Sequence, residues 1–174
     1  AILASAQNDK PYFQQEVNYT IRVKLDDNKH ELDGDIAVEY VNNSPDELPF
    51  IWFHIWPNAY KNNGTALAEQ LIEDGNKKFY FADDEERGWI SNLDFKADGQ
   101  SVKTEAHPEH IDIIKVMLNA PLKPGARITI STPFQVHIPI GEFSRLGHIE
   151  QQYQITQWYP KPAVFDNTGW HAMP

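Results

Sequence analysis

The 174-residue chain contains no cysteine, which excludes thiol catalysis, thiolate metal ligands and disulfide bonds together. No window comes near eighteen consecutive apolar residues, so no segment reads as a transmembrane helix. Positive charge is scarce: 15 Lys and Arg stand against 25 Asp and Glu, a formal net charge of −10 at pH 7. Protonating all 7 histidines would bring that only to −3. No Lys/Arg run reverses the sign locally, and such a surface repels phosphate and anionic lipid, so neither nucleic acid nor a membrane surface is an expected partner. The chain also lacks an H-E-x-x-H pair, a G-x-S-x-G elbow, a phosphate-cradling glycine run, internal repeats and low-complexity tracts.

What is present belongs to a folded domain. A hydrophobic fraction of 41% with 12% aromatic residues is incompatible with disorder, and the length suits one domain. Ala1-Ile2-Leu3-Ala4-Ser5-Ala6 reads as the end of a secretory apolar region running into an A-x-A cleavage site before Gln7. Residues 1–6 are therefore expected to be a signal-peptide remnant and 7–174 a single β-domain working in the periplasm or outside the cell. From Val17 to Leu25, Val17, Tyr19, Ile21, Val23 and Leu25 alternate with polar residues, as a strand with one wet face does. After the turn-rich Asp26–His30, the alternation resumes at Leu32, Ile36, Val38 and Tyr40, predicting an antiparallel hairpin.

Phe50 to Trp56 is apolar at both parities, the pattern of a strand covered on both faces. One helix is predicted over Ala66–Glu73, with Thr65 as cap and Gly75 just past its end. Strands are expected at Trp89–Phe95, Ile111–Leu118, Ala126–Ser131 and Val136–Ile140. The sum is an all-β fold: antiparallel sheets packed as a sandwich or saddle-shaped β-structure, with one short helix.

Chemistry-bearing clusters are few. Asp26-x-Asn28-x-His30 has Glu31 where a calcium loop needs its glycine, so it reads as a solvated turn. Asp83-Asp84-Glu85-Glu86 reads as a solvated acidic face. His107-Pro108-Glu109-His110 spaces its imidazoles three apart around a proline, which rules out a helical zinc pair and predicts a loop with exposed histidines. Trp52 and Trp56 share parity and read as core, with a sugar-stacking platform as the alternative. That alternative corresponds to a carbohydrate-binding β-sandwich module of a secreted protein. In Glu150-Gln151-Gln152-Tyr153-Gln154-Ile155-Thr156-Gln157-Trp158-Tyr159, four glutamine amides interleave with aromatics. Such a segment suits either the rim of a peptide site or a loop packed on the sheet.

Three stretches carry a family resemblance. Asn18-Tyr19-Thr20-Ile21-Arg22-Val23 followed by Leu32-Asp33-Gly34-Asp35-Ile36-Ala37-Val38 is similar to the opening of the aminopeptidase N family of zinc metallopeptidases (gluzincins). Pro121-Leu122-Lys123-Pro124-Gly125, with Phe134 and Ile138-Pro139 after it, is similar to that family's P-L-x-x-G turn and following strand. Gln151 to Ala163 resembles the stretch in which Gln or Glu precedes an F-P pair by about eight residues; here Tyr159-Pro160 stand for that pair, eight residues after Gln151. Lys161-Pro162-Ala163-Val164-Phe165-Asp166 replaces the family's common C-F-D-E-P sequel, and Gln157-Trp158-Tyr159-Pro160-Lys161-Pro162 looks more like a divergent, bacterial, secreted branch. The resemblance implies a saddle-shaped, non-catalytic N-terminal domain of a longer aminopeptidase. Zinc would sit in a separate catalytic domain, which would be this domain's intramolecular partner. It further implies that Gln151, with Glu150 beside it, binds the amine end of a peptide substrate. No catalytic or metal-binding residue is expected within the chain.

Overall fold

The computed structural model describes residues 12–174; the expected signal-peptide remnant, residues 1–6, lies outside the described residues. The strands are β1 (Glu16–Asp26), β2 (Glu31–Val41), β3 (Leu48–His54), β4 (Trp89–Ser91), β5 (Lys96–Ala97), β6 (Gln100–Ser101), β7 (Thr104–Ala106), β8 (Ile113–Leu122) and β9 (Arg127–His137). They are followed by β10 (Gly147–Ile149), β11 (Gln152–Gln154), β12 (Lys161–Pro162), β13 (Val164–Asp166) and β14 (Gly169–His171). The helix α1 spans Ala66–Glu73. One sheet runs β1-β2-β9-β5-β6, with β4 also on β9; a second runs β12-β3-β8-β7; β10/β11 and β13/β14 are separate hairpins. Every strand pairing is antiparallel. The two larger sheets face each other across one core, where Ile36, Val38, Ile130 and Val136 of the first meet Ile51, Phe53 and Val116 of the second. The fold is the all-β sandwich that the alternating sequence predicts.

The β1–β2 hairpin forms where expected, with Leu25 opposite Leu32 and Val17 opposite Tyr40. Asp26 Oδ1 accepts the backbone N–H of Asn28 at 3.1 Å and of Lys29 at 3.2 Å, closing the turn. Because β1 is an edge strand, its apolar side is only partly covered: Tyr19, Val23 and Leu25 stay exposed while Ile36, Val38 and Tyr40 on β2 are buried. Gly34 marks a close approach. A Cβ there would lie 2.5 Å from the Arg22 carbonyl oxygen and 2.7 Å from Phe134 Cζ, so only glycine lets the Phe134 ring lie flat against the hairpin.

The sequence predicts separate strands at Ala126–Ser131 and Val136–Ile140, yet β9 runs from the first into the second as one strand. Its first neighbour, β5, pairs Ser131 and Ile130, and β4 resumes pairing at Gln135. Pro133 falls in the gap between them, where one flank of β9 has no ladder to complete, and proline's missing N–H is tolerated there. Thr132 bridges the gap, its Oγ1 accepting the Asp94 N–H at 2.8 Å. The predicted strand Trp89–Phe95 shortens to β4 because Asn92 turns left-handed, φ 60°. Helix α1 starts as predicted: Thr65 Oγ1 accepts the Ala68 N–H at 3.2 Å, and Gly75 past its end has φ 80°.

Candidate functional site

The glutamine-rich segment rises from the sheet as the β10/β11 hairpin, with Ile149 opposite Gln152 and the turn made by Glu150 and Gln151. Both turn residues are exposed, and Glu150 adopts φ 51°. The hairpin is pinned to the β1–β2 turn by aromatic contacts. The His30 and His148 rings stack at 3.6 Å, and His30 Nδ1 lies 2.8 Å from the Tyr153 hydroxyl. Burial depresses the His148 pKa below the ordinary imidazole value, a backbone hydrogen bond with Glu150 opposes this, and the neighbouring His30 and His137 add to the depression. Beneath the hairpin two backbones touch: a Cβ on Gly147 would lie 2.5 Å from Gly141 Cα. The platform that presents Glu150 and Gln151 is therefore held by close packing, and both of those residues are exposed on it.

Behind that hairpin the chain returns to the sheet. Trp158 packs on Phe134 at 5.8 Å and Tyr159 meets Tyr19 edge-on at 5.6 Å. Partial burial, aided by the Tyr159 phenol nearby, pushes the Tyr19 pKa up to about 12.

A second feature was not singled out by the sequence. A cleft of about 550 Å³ opens where β3 ends and β8 begins, lined by Leu67 and Gln70 of α1, by Arg145 and Gln157, and by Trp56 and Asp112. Thr156 Oγ1 donates to the Arg145 carbonyl at 2.8 Å, fixing that part of the lining. Asp112 is only 2% exposed, its backbone carbonyl accepts the Ile55 N–H at 2.7 Å, and its Oδ2 has no hydrogen-bond partner. Burial pushes its carboxyl up from the ordinary aspartate value, while its own backbone N–H and nearby His110 and His107 pull the other way. The sequence signal was an aspartate inside the apolar run Ile111-Asp112-Ile113-Ile114, since lone acids are rarely buried without a partner.

The tryptophans do not form a platform. β3 ends at His54 and Trp56 begins a short 3-10 turn, Trp56–Tyr60, so the two indoles do not share a strand. Lys115 Nζ sits 4.8 Å over Trp52, which also meets His107 at 5.3 Å. The Trp56 ring is stacked by His54 at 4.4 Å and approached by Lys161 Nζ at 5.5 Å. Both indoles are half-buried with cations and imidazoles against them, neither plain core nor an open face. His107 and His110 lie in a loop as predicted, but half-buried and stacked at 4.9 Å rather than exposed. Asp83 to Glu86 are exposed or half-buried and form a capped 3-10 turn. On the β13/β14 hairpin, Asp166 Oδ2 and Thr168 Oγ1 lie 2.9 Å and 3.1 Å from the same nitrogen, His171 Nε2. Sharing one nitrogen makes this a turn lock rather than a proton relay. The Thr168 hydroxyl donating to Asp166 Oδ1 at 2.6 Å, then His171 and the Thr168 backbone N–H, lower the Asp166 pKa to about 2. Among the described residues, no group of three or more His, Cys, Asp or Glu is arranged to hold a metal ion.

No protein-family model matches the chain, and no curated protein matches it. Solved structures similar to it include a mutant M1 zinc metallopeptidase from Deinococcus radiodurans, at 13% identity and TM-score 0.44, covering 74% of this chain and 22% of that one. The mutant bound to a Tyr-Ser-Ala substrate matches at 14% identity with the same TM-score and coverage, 0.44, 74% and 22%. The non-mutant enzyme matches at 13% and 0.43, covering 73% and 21%. The chain thus spans about a fifth of the length of these structures.

Proposed function

We propose that this chain is a non-catalytic N-terminal domain of a secreted aminopeptidase N-like zinc metallopeptidase, and that it forms one wall of the peptide cleft. The observation that carries the reading is convergence. The three stretches that carry the resemblance lie far apart in sequence but touch in space: Tyr19 of the first meets Tyr159 of the third, and Phe134 of the second meets Trp158 of the third. Together they present the turn bearing Glu150 and Gln151. The flanking surface is apolar where a partner domain would cover it, with Ile149 and Val164 both exposed along with Tyr19, Val23 and Leu25. Zinc belongs to the catalytic domain of such an enzyme, where it activates the attacking water. The residues of this chain would bind and orient. Gln151 offers an amide to the substrate's amine end, and Glu150 offers a carboxylate for a charge-assisted bond of about 1.5–3 kcal/mol. The carbohydrate reading has less support, because Lys115, His107, His54 and Lys161 pack against the indoles that a sugar would stack on.

The test is kinetic, on the protein encoded by the whole reading frame. Gln151→Ala and Glu150→Ala are each expected to raise KM for an aminoacyl anilide about ten-fold, corresponding to loss of about 1.4 kcal/mol of binding, with kcat changed less than about two-fold. Unchanged KM in both variants would remove these residues from the cleft wall.

A further inference from the structure

Four buried side-chain atoms lack a hydrogen-bond partner among the described residues: Tyr40 Oη, His54 Nδ1, Arg87 Nη1 and Asp112 Oδ2. Only the last belongs to a group that becomes an anion by ordinary titration at neutral pH and also lines the 550 Å³ cleft beside α1. A carboxylate oxygen buried without a donor is costly, and a ligand that brings a donor recovers that cost. The volume falls in the range of small-molecule sites. The lining divides by chemistry. Leu67, Leu71 and Tyr60 supply an apolar wall, Gln70 and Gln157 supply amides, and the charged groups are Asp74, Asp112 and Arg145. Two acids against one base, within a chain of net charge −10, favour a cation over an anion. Arg145 is exposed at the wall, whereas Asp112 is buried, so the deeper charge is the negative one.

We propose that the cleft between α1 and the Arg145/Gln157 wall is a binding site for a ligand carrying a primary ammonium group on a small apolar body, with Asp112 as the ammonium's acceptor. An ammonium has three donors and fits a single orphan oxygen, while its alkyl or aryl body fills the space against Leu67 and Leu71. Entry of the cation also reverses the effect of burial on Asp112, holding the carboxyl ionised. The site is separate from the wall proposed above, because neither Glu150 nor Gln151 lines it. The proposal therefore stands whether or not the peptidase reading does.

The probe is 2-phenylethylammonium, titrated calorimetrically into the full chain at pH 7.5, with 2-phenylethanol as the uncharged molecule of the same shape. The amine is expected to bind at least ten-fold more tightly than the alcohol, and Asp112→Asn to abolish that difference. Gln70→Trp, at an exposed position on α1, is expected to block binding by filling the cleft without touching the core. Leucyl-leucinamide and Nα-acetyl-lysinamide then distinguish a peptide terminus from a lysine side chain as the source of the ammonium. Equal binding of amine and alcohol, or an amine preference that survives in folded Asp112→Asn, overturns the proposal. So does undiminished binding to Gln70→Trp.

Discussion

Phe134→Ala is expected to destabilise the fold by about 3–5 kcal/mol, the cost of deleting a buried aromatic whose surroundings cannot collapse. The ring is 2% exposed. On one side it lies against Gly34, where even a methyl group would collide, and on the other it meets Trp158 at 5.8 Å. Neither side can follow the ring inward: Gly34 is held in the β2 ladder opposite Phe134 itself, and Trp158 belongs to the segment that anchors the β10/β11 hairpin. The loss should therefore show in two places. Urea unfolding followed by circular dichroism reports the stability change, and amide exchange across residues 151–163 should accelerate more than exchange in β3. A cost below about 1 kcal/mol, with exchange unchanged in that segment, would mean the ring does not couple the sheet to the hairpin.

Acidification is expected to remove about 3 kcal/mol of stability through His54 alone. The imidazole is 6% exposed, and its Nδ1 has no partner. Burial is the largest cause of its depressed pKa, with Lys161, its partner across the β3–β12 ladder, second; a backbone hydrogen bond with His171 opposes them. Together they bring the value down from 6.5 to about 4. A histidine depressed in the folded state binds its proton more readily when unfolded. Its contribution is thus fully present above pH 6.5, falls as pH drops toward 4, and levels off below that. His148 acts in the same direction. Asp112 acts oppositely, since a carboxyl pushed up by burial favours the folded state as it protonates. Denaturant midpoints between pH 7.5 and 4 should fall steeply in the natural sequence and much less in His54→Gln. An NMR titration of the His54 ring gives an independent reading. A midpoint near 6.5 would contradict the burial argument.

The fold was largely legible because edge and central strands write different patterns. β1 and β2 alternate cleanly, β3 is apolar at both parities, and Thr65 announces α1. What misled was chain punctuation with tertiary compensation. Ala126–Ser131 and Val136–Ile140 read as separate strands, yet Pro133 between them sits in the stretch of β9 flanked by β5 and β4, so the strand runs through. Asn42 opens the polar run Asn42-Asn43-Ser44-Pro45-Asp46-Glu47, whose composition suits a solvated turn, but it is fully buried: its Nδ2 donates to the carbonyls of Asp46 at 2.8 Å and Leu122 at 2.9 Å, and Oδ1 accepts from Ser44 Oγ. No local pattern predicts a partner eighty residues away. The Trp56 side chain was assigned to the wrong element because an apolar run does not announce where a strand gives way to a turn.

The candidate sites divide in the same manner. Glu150 and Gln151 are marked by local composition and resemblance, but that segment reads from sequence as a rim or a packed loop, and its β10/β11 hairpin is visible only in the structure. The Asp112 cleft depends on α1, the start of β8 and the loop at Arg145 meeting in space, an arrangement that no spacing in the sequence encodes. Only the aspartate embedded in an apolar run hinted at it.

The proposal that this chain forms one wall of a cleft whose zinc chemistry would belong to another domain is tested most directly by one rate. Hydrolysis of leucine anilide is measured for the 174-residue chain and for the product of the whole reading frame, each after chelation and again after zinc is restored. The account predicts no turnover from the shorter chain under any condition, and turnover from the longer protein that chelation abolishes and zinc recovers. Chelator-sensitive turnover by the shorter chain, or none by the zinc-loaded longer protein, would contradict it.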